Sequence, residues 1–122
     1  MKILVIEGYY MCRDAISGVL GLGRHDLIFA QDGEAALKLL ADSHDFDLLI
    51  TANRTHGMYG IDVLRIMRTD NRYLSLPAIM FSSDDNPDLI REAIELSAAF
   101  VAKTEGAHEI IKAALERFGL EL

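Results

Sequence analysis

The chain has 122 residues, 51% of them hydrophobic and 25% charged, with 9 Gly, 2 Pro and 1 Cys. That length suits one domain (1–122) able to bury a core without cross-links, and the composition excludes disordered, collagen-like and disulfide-stapled classes. With 12 Lys and Arg against 19 Asp and Glu, the formal charge is −7, which argues against direct contact with nucleic acid or an anionic membrane.

Every apolar run falls far short of the roughly 20 residues that cross a bilayer. Met1–Glu7 carries neither a long apolar stretch nor a small-residue cleavage site, so no signal peptide is expected. One cysteine allows no internal disulfide, and a cytoplasmic location is expected.

Ile3–Ile6 opens the chain as a nearly continuous apolar run, the pattern of a strand covered on both faces. Cys12, Ala15, Ile16, Val19 and Leu20 follow at the spacing of one helix face. A second run, Leu27–Ala30, precedes Asp32-Gly33-Glu34, which opens a helix carrying Ala36, Leu39 and Leu40 inward. The third run, Leu48–Ile50, leads to a helix that starts at Gly60 and buries Val63, Leu64 and Met67. After the fourth, Ala78–Phe81, Asn86-Pro87-Asp88 supplies an N-cap, a proline at the first helical position and an acid facing the dipole. The fifth, Ala98–Ala102, precedes Ala107, Ile110, Ile111, Ala114, Leu115 and Phe118 at helical spacing. Gly119 stands where a helix end favours positive φ.

Five strands alternating with five helices predict an α/β fold. Right-handed crossovers make it an open parallel sheet with helices on both faces. Order 2-1-3-4-5, as in flavodoxin-like folds, fits better than a barrel of eight units and about 250 residues. Ligands of such sheets bind beyond the carboxyl ends of the strands, near the point where strand order reverses. The segments there are Glu7-Gly8-Tyr9-Tyr10, Thr51-Ala52-Asn53-Arg54, Ser82-Ser83-Asp84 and Lys103-Thr104.

At these segments the chain resembles the receiver domain of bacterial response regulators, those of the chemotaxis-regulator type included. Ile3–Gly8, Asp47–Gly60 with its Gly57-Met58-Tyr59-Gly60 turn, Pro77–Ser83 and Ala98–Lys103 carry the resemblance. It implies a pair of acids after strand 1 that hold Mg²⁺, an Asp at the end of strand 3 that accepts phosphoryl, and a hydroxyl and a lysine that bind its oxygens. Phosphoryl transfer is mostly positioning and charge neutralisation, which is why the family gathers these groups.

Carried over position by position, the match is partial. Ser82 stands at the hydroxyl position, Lys103 at the lysine and Phe100 at the aromatic switch position. Glu7 replaces the first acid and Gly8 the second; Ala52 stands at the phosphoacceptor position. His56 and Thr104 replace prolines that the family usually carries. A methyl group cannot attack phosphorus. Thr51 and Asn53 should point to the other face of the strand, and a hydroxyl would need an adjacent base. Four departures at one site favour natural degeneracy over a single laboratory substitution. Without the second acid, Mg²⁺ binding should be weak or absent, and no other cofactor is implied. Lys103, deprived of phosphoryl and Asp, is expected to pair with Glu7.

Other features read more simply as structure. Cys12 falls on a core stripe, and the four scattered histidines lack metal-ligand spacing. Ser82-Ser83-Asp84-Asp85 has no nucleophile elbow around it, Tyr9 and Tyr10 pack at the rim, and Phe100 is expected to be fixed. Arg91, Glu92, Glu95, Lys112 and Glu116 form a solvated face with Glu109–Lys112 and Lys112–Glu116 pairs; in the resembled family that face, helix 4–strand 5–helix 5, also serves self-association and partner binding. The expected function is a pseudo-receiver that binds a histidine kinase, another receiver or an output protein without Asp phosphorylation, with a homodimer through that face as one form. The alternative is a small-molecule or anion-binding module using the emptied pocket near Lys103. An enzyme is not expected, and a flavin carrier would need a phosphate loop that Glu7–Tyr10 does not supply.

Overall fold

The apolar runs pair as five parallel strands: β1 (Lys2–Ile6), β2 (Asp26–Ala30), β3 (Leu48–Thr51), β4 (Ala78–Ser82) and β5 (Ala98–Ala102). A computed structural model describes residues 1–21 and 23–122. The sheet order is β2-β1-β3-β4-β5, as the alternation of elements predicts. Between and after the strands lie α1 (Tyr10–Leu20), α2 (Gly33–Asp42), α3 (Gly60–Met67), α4 (Pro87–Glu95) and α5 (Glu109–Phe118).

Side chains alternate across a strand, and here both faces are covered. Ile3, Val5, Leu48, Ile50, Ile79 and Val101 pack with Ile16 and Leu20 of α1 and Ile110 and Ala114 of α5. Leu4, Ile6, Leu49, Ala78 and Met80 face Leu40 of α2, Leu64 and Met67 of α3 and Ala93 of α4. The two layers close on the sheet and leave only its strand ends open.

Local signals act as the sequence indicates. Asn86 Oδ1 accepts from Asp88 N at 2.8 Å, and Asp32 Oδ1 accepts from Ala35 N at 2.9 Å. Gly119 ends α5 in the left-handed region, φ 67°. Because Asp32 satisfies one of the unpaired amides at the start of α2, Asp32→Ala should cost about 1 kcal/mol, read as a lower urea midpoint with unchanged slope.

Two core stripes are narrower than their spacing suggests. Ala15 is exposed, Cys12 is half-buried, and Leu115 is 53% exposed. Each of Ala15 and Leu115 lies next to a fully buried residue, Ile16 and Ala114, and neighbours in sequence sit about 100° apart around a helix. The expected Glu109–Lys112 and Lys112–Glu116 pairs are absent among the described residues; Glu109 instead lies 3.5 Å from His108. Short 3₁₀ turns at Asn71–Tyr73 and Lys103–Glu105 had no signal in the periodicity. No helix among the described residues is long and apolar enough to cross a membrane.

Candidate functional site

The carboxyl ends of β1, β3, β4 and β5 bring Glu7, Ala52, Ser82 and Lys103 to one end of the sheet. The Gly57–Gly60 turn shapes the β3 end. Gly57 adopts φ 78°, which glycine takes without strain. Gly60 meets a different demand: a Cβ there would lie 2.0 Å from the Ala52 carbonyl oxygen and 2.7 Å from Thr51 Oγ1. Only a residue without a side chain lets α3 begin so close to the end of β3. Asn53 reinforces the turn, its Oδ1 accepting from Ile61 N at 3.1 Å and its carbonyl from Gly60 N at 2.8 Å.

Glu7 is 4% exposed, yet every strong demand of its carboxylate is met. Oε1 accepts from Tyr9 N at 3.1 Å and Oε2 from Lys103 Nζ at 2.9 Å. Arg13 Nε donates to the Glu7 carbonyl at 2.6 Å while its guanidinium lies over the Phe29 ring. The expected Lys103–Glu7 pair therefore spans the site from β5 to β1. Burial of the Lys103 ammonium pulls its pKa down, but the hydrogen bond and charge of Glu7, joined by a smaller contribution from Cys12, outweigh this and hold it above the usual 10.5.

Ser82 is buried, and its Oγ accepts from Asp84 N at 2.9 Å, which turns the chain toward the Asn86 cap. Ala52 is 4% exposed and brings only a methyl group. Thr51 and Asn53 are engaged elsewhere, Thr51 Oγ1 donating to the Ala52 carbonyl at 2.7 Å. Phe100 is half-buried and rests against the α2–α3–α4 cluster. Of the charged face, Arg91, Glu95, Lys112 and Glu116 are exposed, whereas Glu92 turns toward α3 and is held by Arg65.

A cavity of about 480 Å³ opens beside Gly8, walled by Glu7, Gln31, Asp32, Arg54 and His56. Lys103 and Ser82 do not line it, so the pocket lies in front of Glu7 and not beside the lysine as expected. Arg54 Nε reaches Asp84 Oδ2 at 3.4 Å and so links the β3–α3 and β4–α4 loops over the site. Gln31 and Arg13 carried no signal of their own in the sequence, and Arg54 entered only as the last residue of the segment after strand 3. Asp32 did, but as a helix cap.

The donor set does not fit Mg²⁺. One oxygen of Glu7 is taken by an ammonium, Gly8 has no side chain, and Ala52 offers no oxygen from its side chain, whereas the ion needs a near-octahedral set of oxygens. Among the described residues, no group of three or more His, Cys, Asp or Glu is placed to hold a metal ion.

Known proteins share this architecture. Chemotaxis protein CheY of Pseudomonas aeruginosa is 35% identical over 119 residues, covering 96% of this chain and 94% of its own. Response regulator protein FleR of the same species is 35% identical over 98 residues, 80% of this chain but 20% of FleR. The solved structure of chemotaxis response regulator CheY4 of Vibrio cholerae has a TM-score of 0.83 at 20% identity, covering 96% of this chain and 98% of its own, a likeness of fold. A signal receiver domain of an HD domain-containing protein from Pseudomonas fluorescens Pf-5 gives a TM-score of 0.82 at 26% identity, with 97% and 94% covered. The family model of the response regulator receiver domain matches residues 3–115, and the chain belongs to that family of two-component signalling domains.

Proposed function

We propose that this chain is a pseudo-receiver: a phosphorylation-independent protein–protein interaction module in bacterial signal transduction. One observation carries the reading. At the position of the phosphoacceptor stands the buried methyl group of Ala52, and the charges left around it, Lys103 and Glu7, are spent on each other at 2.9 Å. A switch requires an input that binds two states unequally, and covalent phosphorylation has no nucleophile here. The signal is then binding itself, and the partners are a histidine kinase, another receiver or an output protein. The exposed Arg91, Glu95, Lys112 and Glu116 place both signs of charge on the α4–β5–α5 side, a pattern suited to a self-complementary contact between two copies.

Incubation with a small acyl phosphate and Mg²⁺, followed by intact-mass measurement, tests this reading. The mass should stay that of the unmodified chain, and the elution volume on a sizing column should not change. A phosphoryl adduct in high yield would overturn the proposal.

A second reading rests on the cavity beside Gly8, whose volume and mixed polar wall suit a small ligand. A ligand of the native state raises the melting temperature. A screen of metabolites and inorganic anions that leaves the transition unmoved would remove this alternative.

A further inference from the structure

Helix α4 packs on β5 through Ala93, with Leu89 and Leu96 against the core, but leaves a wide apolar strip uncovered. Of its nine residues only Ala93 is fully buried, while Pro87, Ile90 and Ile94 line an apolar groove open to solvent. A helix that rests on so narrow a buried strip is held against rolling by whatever polar contacts flank that strip.

Arg65 of α3 and Arg68, the residue that caps its C-terminal end, supply those contacts. Arg65 and Arg68 are three residues apart and so share one side of their helix. Arg65 donates to both carboxylate oxygens of Glu92, with Nη2–Oε1 at 2.6 Å, the paired geometry that makes guanidinium–carboxylate contacts strong. Its third donor, Nη1, reaches Asp62 Oδ1 at 2.7 Å, and Asp62 is itself fixed by accepting from Tyr59 N. Arg68 Nε donates to the Leu96 carbonyl at 2.8 Å, at the C-terminal end of α4, where the helix dipole favours a cation. Its Nη1 holds the Tyr73 carbonyl at 2.6 Å, before β4. Burial pulls the Arg68 pKa below its usual value, and its hydrogen bonds go to backbone carbonyls.

Glu92 and Leu96 lie one turn apart on α4. A single contact would leave a pivot; two contacts a turn apart on each helix fix rotation as well as position. The residue after the lower grip, Ser97, adopts φ 61°, a left-handed conformation that a non-glycine residue keeps only where its surroundings hold it.

We propose that Arg65 and Arg68 form a clamp that sets the orientation of α4 from α3, independently of the strand-end site. The inference stands whether or not the chain accepts phosphoryl, because neither arginine belongs to that site.

Hydrogen exchange resolved by segment tests it. In Arg68→Met, amides of residues 88–97 should exchange about tenfold faster, the loss expected for hydrogen bonds to a charged group. Amides of α1 and α5 should change far less. Arg65→Glu should release the same segment, and adding Glu92→Arg should restore its protection by reversing the pair. Equal acceleration in all helices would report only global destabilisation and overturn the clamp, as would a reversed pair that restores nothing. The reversed pair keeps the test decisive if Arg68→Met does not fold.

Discussion

Ala52→Asp alone should leave the protein nearly inert toward an acyl phosphate and Mg²⁺, and Gly8→Asp added to it should raise phosphoryl capture by about a hundredfold. Restoring the nucleophile mends only one part of the deficit. A carboxylate at position 52 would enter a site 4% exposed, where the nearest lysine is already taken by Glu7 and no second acid stands ready to hold a divalent ion. Since catalysis of this transfer rests on neutralising the charge of the moving group, a nucleophile without its metal gains little. The double variant carries its own cost. A Cβ at position 8 would sit 3.2 Å from the Gln31 carbonyl oxygen, so the β2–α2 turn must yield by a few tenths of an ångström, with a stability loss of about 1 kcal/mol. Time courses of intact mass for the two single variants and the double variant separate these contributions. Rapid, complete phosphorylation of Ala52→Asp by itself would show that Glu7 and backbone oxygens suffice to hold the metal.

The fold was readable because both faces of the sheet are covered. Burial on two sides writes strands as unbroken apolar runs, and Asn86-Pro87 and Asp32-Gly33 mark helix starts through hydrogen bonds local to the chain. Residues one step off a core stripe, such as Ala15 and Leu115, were not readable, because a pattern of spacings does not say how wide a strip the sheet can touch. At the site, strand ends named the segments and the family resemblance named the residues within them; Lys103 was expected to meet Glu7 because a half-buried ammonium without a partner is costly. A pocket at this end of the sheet was expected, but its exact walls were not readable for a different reason. Its walls come from the segments that follow β1, β2 and β3, and Gln31 carries no sequence signal until the sheet order brings these segments together. The α3–α4 clamp is hidden in the same way: Arg65 and Glu92 are 27 residues apart, and Glu92 reads as part of a solvated face.

Lys103→Met should lower stability by about 2 kcal/mol, or about 8 °C in the melting temperature. The Glu7 side chain is 5% exposed and that of Lys103 21%, so the pair lies between a surface contact and a fully buried one, and the loss is set below the full cost of orphaning a buried charge. Removing both charges should hurt less than removing the lysine. In Glu7→Gln with Lys103→Met, the amide oxygen can still accept from Tyr9 N, and no buried charge is left unpaired. The pH dependence gives the sign of the interaction. The folded pKa of Lys103 lies above 10.5, so the proton is bound more tightly in the native state. The stability it contributes is therefore complete below pH 10.5 and is lost as the pH rises through the folded value. The difference in urea midpoint between the wild type and Lys103→Met should hold constant from neutral pH upward and then close in strongly alkaline solution. A difference that never existed at neutral pH would mean that the ion pair merely fills the site. A difference that persisted unchanged at the alkaline end would mean that the lysine acts through the packing of its aliphatic stem and not through its charge.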